Sequence, residues 1–383
     1  MERFLIIQTA FIGDVVLATG LIEKLHARFP NAQIDFLVRK GNEGLLIGHP
    51  LLRQVLIWDK KKHKNKNLCK MLLHIRRQRY DKVINVQRFA ATGLLTAFSR
   101  AKETIGFDKN PFSFLFSKKI PHIISTSDKP IHEIERNDEL VKHFAGDEVM
   151  RPRLYPSSAD YEFVRGYQSQ PYICIAPASV WFTKQYPAHK WVSFINKLPA
   201  NLVVYLIGAP GDHALCETIR NSVISNTSTD RSLSNYTSQA AAHPPGLSQE
   251  ISNDKAPVIN SLKEIAPEGV PIQAGAPHII NLAGKLSFLQ SAALQQGAVM
   301  NYVNDSAPMH FASAVNAPTT AVYCSTLPSF GFGPLADMRF IVERLEPLYC
   351  RPCGLHGRPT CPEGHFKCAY DIKDEQLLKS LGH

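Results

Sequence analysis

Short apolar runs alternate with longer stretches whose apolar residues recur every three or four positions. Phe4–Gln8 is a continuous apolar run of the kind that forms a strand covered on both faces. Asp14–Phe29 carries Val15, Val16, Ala18, Leu21, Ile22, Leu25 and Phe29 mostly on one side of a helix, and Pro30-Asn31 ends it. Further strands are predicted at Gln33–Val38, Val55–Trp58 and Lys82–Val86, with helices between them. Strands that alternate with helices pair in parallel and wind a helix-covered sheet.

The alternation pauses at Arg151-Pro152-Arg153-Leu154-Tyr155-Pro156, an extended, proline-bounded linker. It restarts with strands predicted at Tyr172–Ala176, Leu202–Ile207, His278–Asn281, Ala298–Val303 and Thr319–Tyr323, and a helix over Lys190–Lys197. The expectation is an α/β chain of two Rossmann-like domains, residues 1–155 and 156–383. One stretch breaks the pattern. In Asn221–Glu250 ten of thirty residues are Ser or Thr, and Pro-, Gly- and Ala-rich sequence continues to Pro277. Such composition buries too little apolar surface to offset chain entropy, so 221–277 is expected to be a disordered insertion, with a short helix near Ser261–Ile265.

A length of 383 residues suits two domains. No apolar run approaches the roughly 18–20 residues of a membrane span. The opening Met1–Gln8 turns polar too early for a signal peptide, so a cytoplasmic protein is expected. The net charge of +10 favours an anionic partner: nucleic acid, anionic lipid or a phosphorylated substrate. Eight cysteines in a reducing compartment argue against a disulfide framework.

Three segments that follow predicted strands could carry chemistry. Gly13-Asp14 joins the first strand to the first helix. Asp14 there is either a helix cap or a carboxylate at the strand end, where open α/β sheets bind ligands. Asn304-Asp305-Ser306-Ala307-Pro308-Met309-His310 opens an alanine-rich helix whose free N–H groups suit an anion, or is simply a capped helix with a packed histidine. Pro177-Ala178-Ser179-Val180-Trp181-Phe182-Thr183-Lys184 offers hydroxyls and a lysine to a diphosphate, or is an aromatic loop with a solvated lysine. No G-x-G-x-x-G follows a strand, and no G-x-x-x-x-G-K-[ST] occurs, which lowers dehydrogenase and P-loop readings.

In this order and spacing, the three segments resemble the bacterial heptosyltransferases, the ADP-heptose:lipopolysaccharide transferases of glycosyltransferase family 9. Asn85-Val86-Gln87, Thr104-Ile105-Gly106-Phe107, His132–Asn137, Gly208-Ala209-Pro210-Gly211-Asp212 and Asn281–Ser287 add to the resemblance, which runs from Phe4 to Ile372 except over 221–277. It implies a GT-B fold, two domains facing across a cleft, and inverting transfer from a nucleotide sugar without an obligatory metal or other cofactor.

Residue by residue, the resemblance implies that Asp14 is the base for the acceptor hydroxyl. It places Ser179, Val180 and Lys184 on the donor phosphates, Lys184 also offsetting charge on the departing diphosphate. Asp212 falls at the ribose and Leu286 beside the adenine, while Asp305, Ser306, Ala307 and His310 bind donor sugar and phosphates. Gly13, Gln87 and Arg88 are candidates for the acceptor side. Val180 stands where a hydroxyl residue is usual and Ala307 where glycine is common.

The basic stretch Lys60–Arg79 is expected to meet a phosphorylated lipopolysaccharide-core acceptor or the anionic inner membrane. It lacks the interleaved aromatics of a single-stranded nucleic-acid groove, so no nucleic-acid partner is expected. Cys350, Cys353, Cys361 and Cys368 could form a zinc-type thiolate set, but are read as structural, with no metal assigned. Two other readings stay open: transfer of a different sugar to a surface glycan, and nucleotide-sugar binding without turnover.

Overall fold

The computed structural model describes residues 1–125, 130–228 and 277–382. Its first sheet comprises β1 (Arg3–Ile7), β2 (Gln33–Arg39), β3 (Gln54–Trp58), β4 (Lys82–Asn85), β5 (Glu103–Phe107) and β6 (Lys118–Ile120), in the order β3-β2-β1-β4-β5-β6. The second comprises β7 (Tyr172–Ala176), β8 (Val203–Leu206), β9 (His278–Asn281), β10 (Met300–Asn304), β11 (Thr319–Tyr323) and β12 (Arg339–Glu343). Its order, β12-β11-β10-β7-β8-β9, repeats the winding of the first, and all neighbouring strands in both sheets are parallel. Strand order therefore reverses between β1 and β4, and again between β7 and β10. At such points the loops leave in opposite directions and open a crevice beyond the carboxyl ends of the strands.

The two halves share a buried core. Val15, Val16 and Ala18 of the first helix, Ile12–Ala18, lie in one apolar cluster with Phe311, Ala312 and Ala314 of the helix Ala307–Ala314. Burying each large apolar side chain contributes about 1.5–3 kcal/mol, so this seam fixes the first helix against the second half. The linker reinforces it. The Arg153 N–H donates to Thr19 Oγ1 at 2.9 Å, and the Leu154 N–H donates to the Ala314 carbonyl at 3.2 Å. Thr19 also interrupts the helix expected over Asp14–Phe29: helices span Ile12–Ala18 and Gly20–Arg28, and the Thr19 hydroxyl donates to the Val16 carbonyl. A Cβ at Gly20 would stand 2.6 Å from the Met150 carbonyl oxygen, so the linker passes where only glycine leaves room.

The helix after β8 runs from His213 to Ser228, so residues 221–228 are helical rather than the start of the insertion. Ile219 and Val223 are buried in the second core, and this apolar spacing continues the helix into the Ser/Thr-rich stretch. The expected helix near Ser261–Ile265 lies outside the described residues. Among the described residues, no helix is long and apolar enough to cross a membrane.

Candidate active site

The three sequence segments converge at the two strand-order reversals. Thr9–Asp14 leaves β1, Val86–Arg88 leaves β4, Pro177–Lys184 leaves β7 and Asp305–His310 leaves β10. Parallel strands end at the same edge, so each sheet gathers two of these loops, and the shared core brings the first half against the second.

Asp14 is the third residue of its helix rather than its cap. Phe11 occupies the cap position, and its N–H donates to Asp14 Oδ2 at 3.2 Å. Burial raises the Asp14 pKa above the usual carboxylate value, opposed by the Phe11 N–H and by the charges of His356 and Arg136. A raised carboxylate pKa brings a group closer to that of an effective base near neutral pH. Gly13 owes its identity to a close approach: a Cβ there would lie 2.8 Å from His310 Cδ2. His310 is buried, and among the described residues its Nδ1 has no hydrogen-bond partner. Burial, with His132 and Lys184 nearby, pushes its pKa down to about 3, so the ring is neutral. A Gly13→Ala variant should force that ring aside, at the roughly 1–3 kcal/mol typical of overpacking. Its thermal midpoint should fall and its activity should drop with it; an unchanged midpoint would contradict the packed seam.

In the second half of the chain, Lys184 Nζ pairs with Asp305 Oδ2 at 2.7 Å, the side chains being 15% and 9% exposed. The Thr326 hydroxyl donates to the same carboxylate at 2.7 Å. Asn304 fixes the two loops to each other: its side-chain amide donates to the Pro177 carbonyl at 2.8 Å, and its Oδ1 accepts from the Tyr186 N–H at 3.0 Å. Ser306 is the cap residue of the helix Ala307–Ala314, but its side chain makes no capping bond, and Ala307 packs on the shared core. The first N–H groups of that helix are therefore not satisfied by its cap side chain.

The other sequence candidates lie around this centre. The Ser179 N–H donates to Gln185 Oε1 at 3.4 Å, and Val180 is exposed. Asp212 turns back on its own loop, accepting from the Ala209 N–H at 2.7 Å, and burial raises its pKa. Leu286 is half-buried against the apolar cluster beneath β8 and β9. Gln87 is buried and accepts from the Thr9 hydroxyl, joining the β1 and β4 loops, whereas Arg88 is exposed.

Tertiary structure adds residues that the sequence reading left without roles. The charges of Arg39 and Arg136 both reach Asp14. Burial and the neighbouring Arg88 lower the Arg136 pKa to about 10, and burial with Arg39 and Lys64 lowers Lys60 to about 8. Lys60 is not solvated like the rest of its stretch. It donates to Thr9 Oγ1 at 2.7 Å and lies 4.8 Å from the centre of the Trp58 ring. By contrast Lys61, Lys62, Lys64, Lys66, Lys70, Arg77 and Arg79 are exposed. Arg136 lay within a recognised motif, but Arg39 ends a strand and carries no local signal.

Cys350, Cys353, Cys361 and Cys368 line one cavity of about 190 Å³, all as free thiols. Among the described residues, no group of three or more His, Cys, Asp or Glu is arranged to hold a metal ion.

Two Rossmann-like parallel sheets that share a core define a GT-B fold. The model of glycosyltransferase family 9 (heptosyltransferase) matches residues 68–233 and 263–357, more than half of the chain, and the chain belongs to this family. It is 22% identical over 329 residues to lipopolysaccharide heptosyltransferase 3 of Escherichia coli, covering 82% of each chain. Among solved structures, it resembles E. coli ADP-heptose LPS heptosyltransferase II with a TM-score of 0.69 and 18% identity, covering 100% of this chain and 98% of that one. A family 9 glycosyltransferase from Veillonella parvula gives 0.72 and 17% identity, covering 100% and 96%.

Proposed function

We propose that this heptosyltransferase moves a heptose from ADP-heptose to the inner core of lipopolysaccharide with inversion, using Asp14 as the base. One observation carries the reading: Gly13, beside Asp14, packs on His310, whose ring also lies in electrostatic reach of Lys184, so Asp14 and the Lys184–Asp305 pair border one site. In the reaction, the acceptor hydroxyl oxygen attacks the anomeric carbon as its proton passes to Asp14. The bond from that carbon to the diphosphate oxygen breaks, and ADP leaves with the electron pair. Lys184 and the N–H groups opening the Ala307–Ala314 helix offset the charge that builds on the diphosphate.

The donor assignment draws on the E. coli relative, whose name includes ADP-heptose. Under this reading Ser179, Val180, Lys184, Asp305, Ser306, Ala307 and His310 border the donor sugar and phosphates. Asp212 meets the ribose and Leu286 the adenine. Residues 156–383 form the donor domain and residues 1–155 the acceptor domain. Lys60 lies in electrostatic reach of Arg39, and Arg136 of Arg88; burial first and these neighbours second lower the pKa values of Lys60 and Arg136, and an anionic acceptor relieves both. This supports a phosphorylated core acceptor. The exposed basic face of Lys64–Gln78 suits the cytoplasmic leaflet of the inner membrane, each cation contributing about 1 kcal/mol near an anionic surface.

A calorimetric panel of ADP-, GDP-, UDP- and dTDP-sugars tests the donor. ADP-heptose is expected to bind best, and failure of every nucleotide sugar would sink the reading. On the acceptor side, Arg88→Ala should raise the acceptor KM by about tenfold, the scale of one charged hydrogen bond, and leave ADP affinity unchanged. A KM that stays at the wild-type value would remove Arg88 from the acceptor site.

A further inference from the structure

The loop between Cys353 and Cys361 has no part in the function described so far. Its neck is the four-cysteine cavity, which both of these residues line. Its tip reaches the loop that carries Lys184. The Thr183 N–H donates to the Arg358 carbonyl at 3.1 Å, and the Arg358 N–H donates back to Thr183 Oγ1 at 2.7 Å. The Ser325 hydroxyl also donates to Thr183 Oγ1, at 3.0 Å, and Thr183 is buried. Two backbone-anchored bonds to a buried residue hold the tip in place.

Gly357 sits at that tip with φ at +77°, and a Cβ added to it would lie 2.8 Å from Lys184 Cγ and 3.1 Å from Thr183 Oγ1. The glycine backbone thus forms one side of the channel through which the Lys184 stem passes to Asp305. A single turn of chain therefore packs against the stem of the donor-side lysine.

We propose that residues 355–360 form a strap against the loop that carries Lys184, in which Gly357 positions Lys184 on Asp305. Gly357 is a positioning residue, acting through Lys184, and its role rests on Lys184 serving the donor diphosphate.

Gly354 provides a matched control. Its φ is +79°, so alanine there meets the same backbone strain, yet its Cβ would find nothing within 4 Å. Gly357→Ala should lower kcat by about tenfold and weaken ADP binding severalfold by calorimetry, whereas Gly354→Ala should do neither. Equal behaviour of the two variants would overturn the Lys184 role, because strain alone would then explain both.

Lys184→Ala separates the failures. If it turns over and binds ADP as wild type does, the donor-side reading of Lys184 fails and the role of Gly357 falls with it. If it is impaired while Gly357→Ala is not, only the positioning role of Gly357 is wrong.

Discussion

Asp14→Asn is expected to lower kcat by about two to four orders of magnitude, the span that a positioned general base contributes. Asparagine keeps the size and can still accept from the Phe11 N–H, so the first turn of the helix should survive. ADP affinity, set mainly on the other wall, should stay within about twofold of wild type. The wild-type profile carries the same information. Burial raises the Asp14 pKa, so activity should fall as pH drops through a value above that of a free aspartate. A variant that turns over at the wild-type rate would remove Asp14 from the chemistry.

Lys184→Ala should be nearly as damaging, for two separable reasons. Loss of a preorganised cation facing the departing diphosphate costs about 10²–10³ in kcat, by analogy with other donors of transition-state charge stabilisation. It also leaves Asp305 with the Thr326 hydroxyl and no cation, in a site where the carboxylate is 9% exposed. Breaking one half of a buried pair typically costs about 3–5 kcal/mol, so the thermal midpoint should drop as well. Lys184→Arg keeps the charge and should restore most of the stability. Its wider, planar head cannot occupy the same point beside Asp305, so kcat should recover only in part. Wild-type turnover in Lys184→Ala would exclude a leaving-group role.

Much of this arrangement is legible in the sequence because parallel strands buried on both faces leave continuous apolar runs. β1, β2, β7 and β11 read that way. The strands that escaped are those without such a run. β5 contains Gly106, where a Cβ would meet Phe116 at 2.5 Å, so its packing partner is a distant side chain rather than its own sequence. β6 is three residues, two of them exposed lysines, and β12 is a half-exposed edge strand, Arg339–Glu343. Asp14 shows the same limit at the site. Its sequence allows both a helix cap and a catalytic carboxylate; in the structure it is the third residue of the helix and accepts from the cap residue's N–H, while its charge environment comes from Arg39, Arg136 and His356. Those three residues stand 25 or more positions away in the chain, where no local pattern connects them. The pairing of Lys184 with Asp305 was likewise out of reach, because it depends on Asn304 tying the β7 and β10 loops together.

The most direct test of the transferase reading is mass spectrometry of a lipopolysaccharide inner-core acceptor incubated with ADP-heptose and the purified protein. The expected result is an acceptor heavier by one heptose residue, with one ADP released per sugar added, and no mass change with the Asp14→Asn variant. An acceptor left unmodified by ADP-heptose but extended from a different nucleotide sugar would contradict the account.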